Sequence, residues 1–364
     1  MGLSQTKLSI CAPLKDRTHY LGSHNEWDPL IEVIVGRARG ANVPHLGLDQ
    51  IAIEKRPSAF DIELCKRVYS FPEKVIEETE EDLEDFVTQL VSLGIRVRRP
   101  DPVDHSALFS TPDWTTDGFY SYCPRDSMLV VGKRIIETPM ALRSRFLETH
   151  AYKSTLMDYF TRGANWISAP KPKLSDEIYS QSNDTLSLRN LEPVFDAANV
   201  LRAGKDLFYL VSDTGNEIGA MWLQRALDAE YNVHLCRDLY SGVHIDSTIA
   251  LLRPGLVLLN GERVTEKNLP APLLKWDKIF CTDIVDSGFE GNRPLSSPWV
   301  GMNLFMINPG LAAVDCLQTQ LIKTLESHGI DVLPVRLRHA RTLGGGFHCV
   351  TLDTERSGTF ESYF

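Results

Sequence analysis

The feature that most constrains the fold of this chain is a recurring alternation of short apolar strands and amphipathic helices. Five segments are rich in β-branched or aromatic residues and stop at Gly, Asn or Asp, which is typical of buried strands. They read "LIEVIVGR" (30–37), "SMLVVGK" (127–133), "DLFYLVSD" (206–213), "GLVLLNG" (255–261) and "NLFMINPG" (303–310). An amphipathic helix is predicted after each, over 77–93, 142–161, 216–229, 265–275 and 314–328, and another short strand follows every helix.

This alternation predicts an α/β protein in which helices cover a sheeted centre. Five similar units suggest radial repetition, whereas a doubly wound sheet is the alternative, because the units share a pattern and not a sequence. No Pro-, Gly- or Ser-rich linker divides the chain. We therefore expect a single domain over residues 21–364, preceded by a loosely ordered segment over residues 1–20.

Composition narrows the class of function. The 364 residues carry a net charge of −10 and contain no Lys/Arg-rich run, which argues against a nucleic-acid partner. The apolar runs are too short to cross a membrane, and residues 1–20 lack the apolar stretch of a signal peptide, so a cytoplasmic location is expected. Seven scattered cysteines without a C-x-x-C pair, and ten histidines without metal-ligand spacing, predict neither a disulfide framework nor a metal.

The stretch "RTLGGGFHCVTLD" places three glycines directly before His348 and Cys349. Three consecutive glycines are costly inside a helix or strand, so they form either a slack tether or a close approach of the backbone to a neighbour. Cys349 is then either a buried structural cysteine or a nucleophile. In an extended segment His348 would point to the side opposite Cys349, so a base for the thiol must come from elsewhere.

Other segments supply candidate acids and a base. His244 and Asp246 in "GVHIDST" would share one face of a strand, or else form an ordinary polar strand end. Asp196 in "EPVFDAANVLRAG", and Arg125 with Asp126 in "YCPRDSM", have apolar neighbours. Carboxylates in such surroundings are good partners for a planar cation, while the alternative is a capping aspartate.

Seven long segments together carry a resemblance to a known family: "HNEWDPLIEVIVGR", "PRDSMLVVGKRIIETPM", "EPVFDAANVLRAGKDLF", "VHIDST", "PGLVLLNGERV", "SSPWVGMNLFMIN" and "LGGGFHCVTLDTERSGT". Over nearly the whole chain, from residue 25 to residue 364, they resemble the amidinotransferase family. This family includes arginine:glycine amidinotransferase of creatine synthesis and bacterial enzymes of secondary metabolism, such as arginine:lysine amidinotransferase of phaseolotoxin synthesis. The resemblance implies a five-module α/β propeller of strand-strand-helix-strand repeats, with the site in the central channel and the glycines bringing Cys349 into it.

The resemblance also implies a chemistry. Cys349 matches the nucleophile that attacks the guanidino carbon of L-arginine, and His244 matches the general acid/base that protonates departing L-ornithine. Asp196 matches the carboxylate that orients this histidine and grips the guanidinium. An amidino-cysteine intermediate that an acceptor amine resolves means ping-pong kinetics without a cofactor.

Four further positions match substrate contacts of the family. Asp126 and Asp246 match acids at the guanidinium, and Arg263 in "NGERV" matches the group that binds the donor α-carboxylate. Ser297 lies in the "SSPW" element, near the thiol in the family. Homodimers are common in this family, so a homodimer is expected.

The residues before His244 predict the size of the acceptor amine. Glycine-specific members resemble "NPMHID" there, whereas this chain has "YSGVHID", with Ser241 and Val243 in place of the asparagine and methionine. Smaller side chains predict a wider mouth and a longer amine, with L-lysine first and an amino sugar or polyketide-derived amine next, in secondary-metabolite or toxin biosynthesis. The alternatives are glycine as acceptor, or water, as in the arginine deiminase-like hydrolases.

Overall fold

A computed structural model describes residues 21–45, 47–53, 70–182, 185–291 and 293–364 of the chain. The segment 1–20, expected to be loosely ordered, lies outside the described residues. Five separate three-stranded sheets repeat one topology, in which the middle strand is antiparallel to the first strand and parallel to the third. The predicted five-module α/β propeller is therefore confirmed, and the doubly wound sheet is excluded.

The strands of each module follow in the order first, middle and third. Module 1 consists of β19 (Thr351–Arg356), β1 (Leu30–Val35) and β2 (Arg96–Arg98), and module 2 of β5 (Met128–Val131), β6 (Arg134–Glu137) and β7 (Asn165–Ser168). Module 3 consists of β10 (Val200–Ala203), β11 (Asp206–Leu210) and β12 (Asn232–Cys236). Module 4 consists of β13 (Ile249–Arg253), β14 (Leu256–Asn260) and β15 (Asp277–Cys281), and module 5 of β16 (Phe305–Asn308), β17 (Leu311–Asp315) and β18 (Asp331–Val335). Two hairpins lie outside the modules, β3 (Leu108–Ser110) with β4 (Thr115–Asp117), and β8 (Tyr179–Ser182) with β9 (Thr185–Leu188).

Helices connect the middle strand of each module to its third strand, as a parallel pair requires. Within the described residues the α-helices are α1 (Leu48–Ile53), α2 (Glu73–Ser92), α3 (Pro124–Ser127), α4 (Lys153–Thr161), α5 (Glu217–Ala226), α6 (Thr319–Ser327) and α7 (Ala340–Leu343). The 3-10 helices there are Arg143–Arg145, Glu148–Tyr152, Asp176–Ile178, Ala197–Asn199, Ala271–Lys275 and Pro298–Met302. The crossovers of modules 1, 2, 3 and 5 contain α2, α4, α5 and α6, respectively, and that of module 4 contains Ala271–Lys275.

The core lies between the sheets and their helices. Strands β11 and β14 are buried along their whole length, which explains their continuous apolar sequences. On α2, Leu83, Phe86 and Leu90 recur at helical spacing and are buried. The Phe86 ring packs edge-on against Phe347, with 5.2 Å between centroids, so this helix supports the turn that carries Cys349.

Several predicted boundaries are wrong. Residues 265–275 do not form an α-helix but end in a 3-10 turn at Ala271–Lys275, after Pro270. The first two residues of the segment 314–328, Val314 and Asp315, are the end of strand β17, and the helix begins at Thr319. In modules 1, 3 and 4 the strands predicted to come first are the middle ones, because β19, β10 and β13 take the first position.

None of the helices in the described ranges combines the length and the apolar character that a membrane span requires.

Candidate active site

The five modules meet at one cavity of about 300 Å³. Each module contributes a polar side chain to its wall from a position shortly before the first strand: Cys349 in module 1, Asp126 in module 2, Asp196 in module 3, Asp246 in module 4 and Asn303 in module 5. The propeller topology therefore brings together residues that are far apart in sequence.

The glycines before Cys349 allow a close approach of the backbone and do not form a tether. Gly344 ends α7 with a positive φ of 83°. A Cβ at Gly345 would lie 2.5 Å from the sulfur of Cys123, and one at Gly346 would lie 2.7 Å from Cβ of Asn303. Because no side chain intervenes, the turn at residues 347–350 packs directly against these neighbours.

Asn303 and Asp246 hold this turn. The backbone N–H groups of His348 and Cys349 both donate to Oδ1 of Asn303, at 2.9 and 3.1 Å. The thiol of Cys349 lies 3.3 Å from Oδ2 of Asp246, and Nδ1 of His348 lies 2.9 Å from the same oxygen. The expectation that His348 and Cys349 point to opposite sides is wrong, because the segment is a turn and not a strand.

The surroundings of Cys349 favour the protonated thiol. The hydrogen bond with Cys123, burial, and the negative charges of Asp246 and Asp126 raise the pKa of Cys349 well above its ordinary value. A thiolate therefore requires a cation in the cavity, since the thiolate and not the thiol is the nucleophile.

His244 lies between two carboxylates. Its Nε2 is 3.0 Å from Oδ2 of Asp196, and its Nδ1 is 3.7 Å from Oδ1 of Asp126. Burial alone would lower the pKa of His244, but the charge of Asp126 and the hydrogen bond and charge of Asp196 raise it to about 9. The imidazole is thus protonated at neutral pH and can act as a general acid.

Asp196 and Asp126 are held in different ways. Oδ1 of Asp196 accepts from the backbone N–H of Ala141 at 3.1 Å, so neither carboxylate oxygen caps the 3-10 helix that follows it. Oδ2 of Asp126 accepts from Arg145 at 2.8 Å, and the same guanidinium bonds Glu148 through two nitrogens. Oδ1 of Asp126 is buried and accepts no hydrogen bond from the described residues, which leaves it available to a cationic ligand.

Arg263 lies against the cavity wall and is not one of the lining residues. Its guanidinium donates to the hydroxyl groups of Ser247, Thr248 and Ser297 at 3.1, 2.9 and 3.2 Å. It also stacks on the ring of Tyr240, with 3.8 Å to the ring centroid. Ser247, Ser297 and Tyr240 do line the cavity, so the cation is fixed at its edge.

The two residues predicted to contact the acceptor lie in different surroundings. Val243 lines the cavity beside Gly242, whereas Ser241 is exposed and is not among the lining residues. His244 and Asp246 both line it, although they lie in a loop and not in a strand.

Comparisons with known proteins decide the family. No protein-family model matches the chain. It is 55% identical over 341 residues to inosamine-phosphate amidinotransferase 1 of Streptomyces glaucescens, covering 93% of this chain and 98% of that relative. It is 38% identical over 363 residues to mitochondrial glycine amidinotransferase of Xenopus tropicalis, covering 94% of this chain and 84% of that relative.

The chain belongs to the amidinotransferase family. A solved structure agrees: inosamine-phosphate amidinotransferase from Streptomyces griseus superimposes with a TM-score of 0.90 at 54% identity, covering 94% of this chain and 99% of the other. The predicted family and the predicted class of enzyme, a transferase, are confirmed.

Sequence reasoning missed three residues of this amidinotransferase site. Asn303 orients the cysteine turn, Arg145 holds Asp126, and Tyr240 supports Arg263. Only Arg145 had a local signal, a glutamate three residues later in "RFLE". Arg125, taken as a neighbour of the cation site, instead bonds Asp353 at 2.7 Å in the core.

The described residues contain one group of side chains with metal-ligand geometry, and none of its members lines the cavity. It consists of Glu78, Glu290 and His339. Glu290 pairs with Lys74 at 3.2 Å, and Glu78 lies 3.4 Å from Arg338, so both acids already have cationic partners.

Proposed function

We propose that this amidinotransferase moves the amidino group of L-arginine to a phosphorylated amino cyclitol, through an amidino adduct on Cys349, and releases L-ornithine. The observation that supports the proposal best is the meeting of Cys349, His244 and three aspartates in one cavity. The similarity to inosamine-phosphate amidinotransferases supports the acceptor.

The donor is proposed from charge and shape. Asp126, Asp196 and Asp246 surround the cavity, and Arg145 and His244 balance them only in part. Burial raises the pKa of Asp126, and the charges of His244 and Arg145 only partly offset this effect. A guanidinium would supply the missing positive charge and present two parallel N–H bonds to a carboxylate.

The first half-reaction follows from this placement. When the donor binds, the thiol of Cys349 releases its proton to solvent, the bound guanidinium stabilises the resulting thiolate, and the thiolate attacks the guanidino carbon. The bond from this carbon to the departing nitrogen breaks, and protonated His244 gives its proton to that nitrogen, so that L-ornithine leaves as a neutral amine. The product is a positively charged S-amidino cysteine, and His244 is left neutral.

The second half-reaction reverses these steps with another amine. The acceptor nitrogen attacks the amidino carbon, neutral His244 takes a proton from it, and the carbon–sulfur bond breaks to regenerate the thiolate. Because the two amines use one site in succession, ping-pong kinetics are expected.

The acceptor is proposed from the relatives and from Arg293. L-lysine, the sequence-based expectation, carries a carboxylate, as the donor does, so the group proposed for the donor carboxylate would serve it too. An inosamine phosphate carries a phosphate with a charge of about −1.5 to −2 at pH 7. Arg293 lines the cavity beside Ser296 and Ser297, has no role in the donor chemistry above, and is the residue type that binds phosphate bidentately.

The test is L-ornithine release from L-arginine with inosamine phosphate, unphosphorylated inosamine, L-lysine, glycine, or buffer alone. Fast turnover with inosamine phosphate is expected, and Arg293→Gln should slow only this acceptor while leaving the first half-reaction unchanged. Fast turnover with L-lysine or glycine alone would reject the acceptor, and citrulline formed in buffer alone would make the protein a hydrolase.

The remaining expectations belong to the same proposal. We infer that residues 21–364 act as a single catalytic domain, that the protein is a cytoplasmic homodimer, and that it serves secondary metabolism. Sedimentation of the purified protein tests the dimer.

A further inference from the structure

His348 has no role in the proposed mechanism, yet it lies next to the nucleophile and its ring is held at both nitrogens. Nδ1 is 2.9 Å from Oδ2 of Asp246, and Nε2 is 3.2 Å from Oε2 of Glu26. The residue is only 7% exposed, so water does not compete for these contacts.

Both partners are carboxylates that stay ionised. Glu26 accepts from Arg202 at 2.8 and 2.9 Å, and Arg125 lies 3.5 Å away. Burial alone would raise the pKa of Glu26, but Arg202 and His348 hold it well below its usual range. Burial alone would likewise raise the pKa of Asp246, but the hydrogen bond and charge of His348 lower it to about 2.

An ionised carboxylate can only accept hydrogen bonds, and a neutral imidazole carries a single N–H. Both ring nitrogens of His348 must therefore donate, which makes the ring an imidazolium. It has no lone pair left and is no base for Cys349.

The same oxygen of Asp246 that accepts from His348 lies 3.3 Å from the sulfur of Cys349. The charge of Asp246 opposes ionisation of this thiol. We propose that His348 is a positioning residue, whose doubly donating ring offsets the charge of Asp246 and fixes its oxygen beside Cys349. This inference rests on the proposed function, in which the thiol of Cys349 is the nucleophile.

Two substitutions of His348 separate the contributions of its two ring nitrogens. The amide of Asn reaches the place of Nδ1, so His348→Asn keeps a donor for Asp246 but loses the charge. The amide of Gln reaches the place of Nε2, so His348→Gln keeps a donor for Glu26 and loses both the charge and the bond to Asp246. The charged groups that face the ring are Glu26 and Asp246, with Arg125 and Arg202 behind Glu26 and the thiol of Cys349 beyond Asp246.

The experiment measures the rate of iodoacetamide alkylation of Cys349 in arginine-free protein between pH 7 and 9, resolved by peptide mass spectrometry. Loss of the cation should slow alkylation about tenfold or more at each pH in His348→Asn, and further in His348→Gln, since tenfold corresponds to one pKa unit. Cys236, a buried core cysteine, reports on loosening of the fold and should not change. His234→Asn removes another histidine paired with a carboxylate, at 2.7 Å from Asp206, and should change nothing at Cys349.

Unchanged or faster alkylation of Cys349 in folded variants would overturn the inference. If the variants do not fold, nitrogen NMR of histidine-labelled wild type decides: the ring of His348 should carry a proton on both nitrogens, and a lone pair on either nitrogen would also overturn the inference. Failure of the proposed function is recognised separately, because wild type given L-arginine would then form no adduct on Cys349.

Discussion

Removal of the Arg263 guanidinium should weaken recognition of the donor carboxylate without affecting the chemical step. Hydroxyl groups of Ser247, Thr248 and Ser297 and the ring of Tyr240 fix this guanidinium at the cavity edge, so little order would be lost when a carboxylate binds. A hydrogen bond to a charged group is worth about 1.5–3 kcal/mol. At about 1.4 kcal/mol for each factor of ten, Arg263→Ala should raise the KM for L-arginine by about 10- to 150-fold.

The assay compares L-arginine with agmatine, which has the same guanidinium but no carboxylate. Wild type should prefer L-arginine in kcat/KM by this factor, and Arg263→Ala should lose the preference while agmatine kinetics stay unchanged. Arg253→Ala, which removes a guanidinium bonded to the carbonyl of His328 outside the cavity wall, is the matched control. If Arg263→Ala still prefers L-arginine as strongly as wild type does, Arg263 does not bind the donor carboxylate, and Arg293 becomes the next candidate.

Two further predictions concern stability. Gly345→Ala should lower the free energy of unfolding in urea by about 1–3 kcal/mol, because the new Cβ would lie 2.5 Å from the sulfur of Cys123. The same substitution should cost less in a Cys123→Ala background. An equal cost in both backgrounds would show that this contact is not the cause. The folded state raises the pKa of His244 from 6.5 to about 9, so its contribution, on the order of 3 kcal/mol, is fully present below about pH 6.5 and is lost as the pH rises through 9. His244→Asn should flatten this part of the curve of unfolding free energy against pH, and an unaltered curve would mean that another group titrates.

The sequence predicts the five modules because each contains an apolar first or middle strand, and these strands alternate with helices. The sequence does not predict β10, because "VLRA" contains Arg202, and an arginine in such a short segment indicates a surface position. This guanidinium is buried because Glu26 and Asp353 bind it from distant parts of the chain. Such pairing across modules cannot be recognised from local periodicity.

The site, like the fold, can be predicted from the sequence only in part. Cys349, His244, Asp196, Asp126 and Asp246 are predicted from motifs, and all five line the cavity. The structure alone identifies Asn303, because its role comes from contacts with the cysteine turn of another module. The role of Arg145 comes from its pairing with Asp126, 19 residues away within module 2. Ser241 is expected at the acceptor side because it takes the place of the asparagine in "NPMHID", whereas in the structure it is exposed and does not line the cavity.

The central claim is that Cys349 carries the amidino group between donor and acceptor. Its most direct test is mass spectrometry of the Cys349 peptide after incubation with L-arginine and no acceptor, followed by addition of inosamine phosphate. The account predicts an amidino adduct on Cys349, none on neighbouring Cys123 and none in Cys349→Ala, and loss of the adduct when the acceptor is added. Turnover without an adduct, or with Cys349 replaced by alanine, would contradict it.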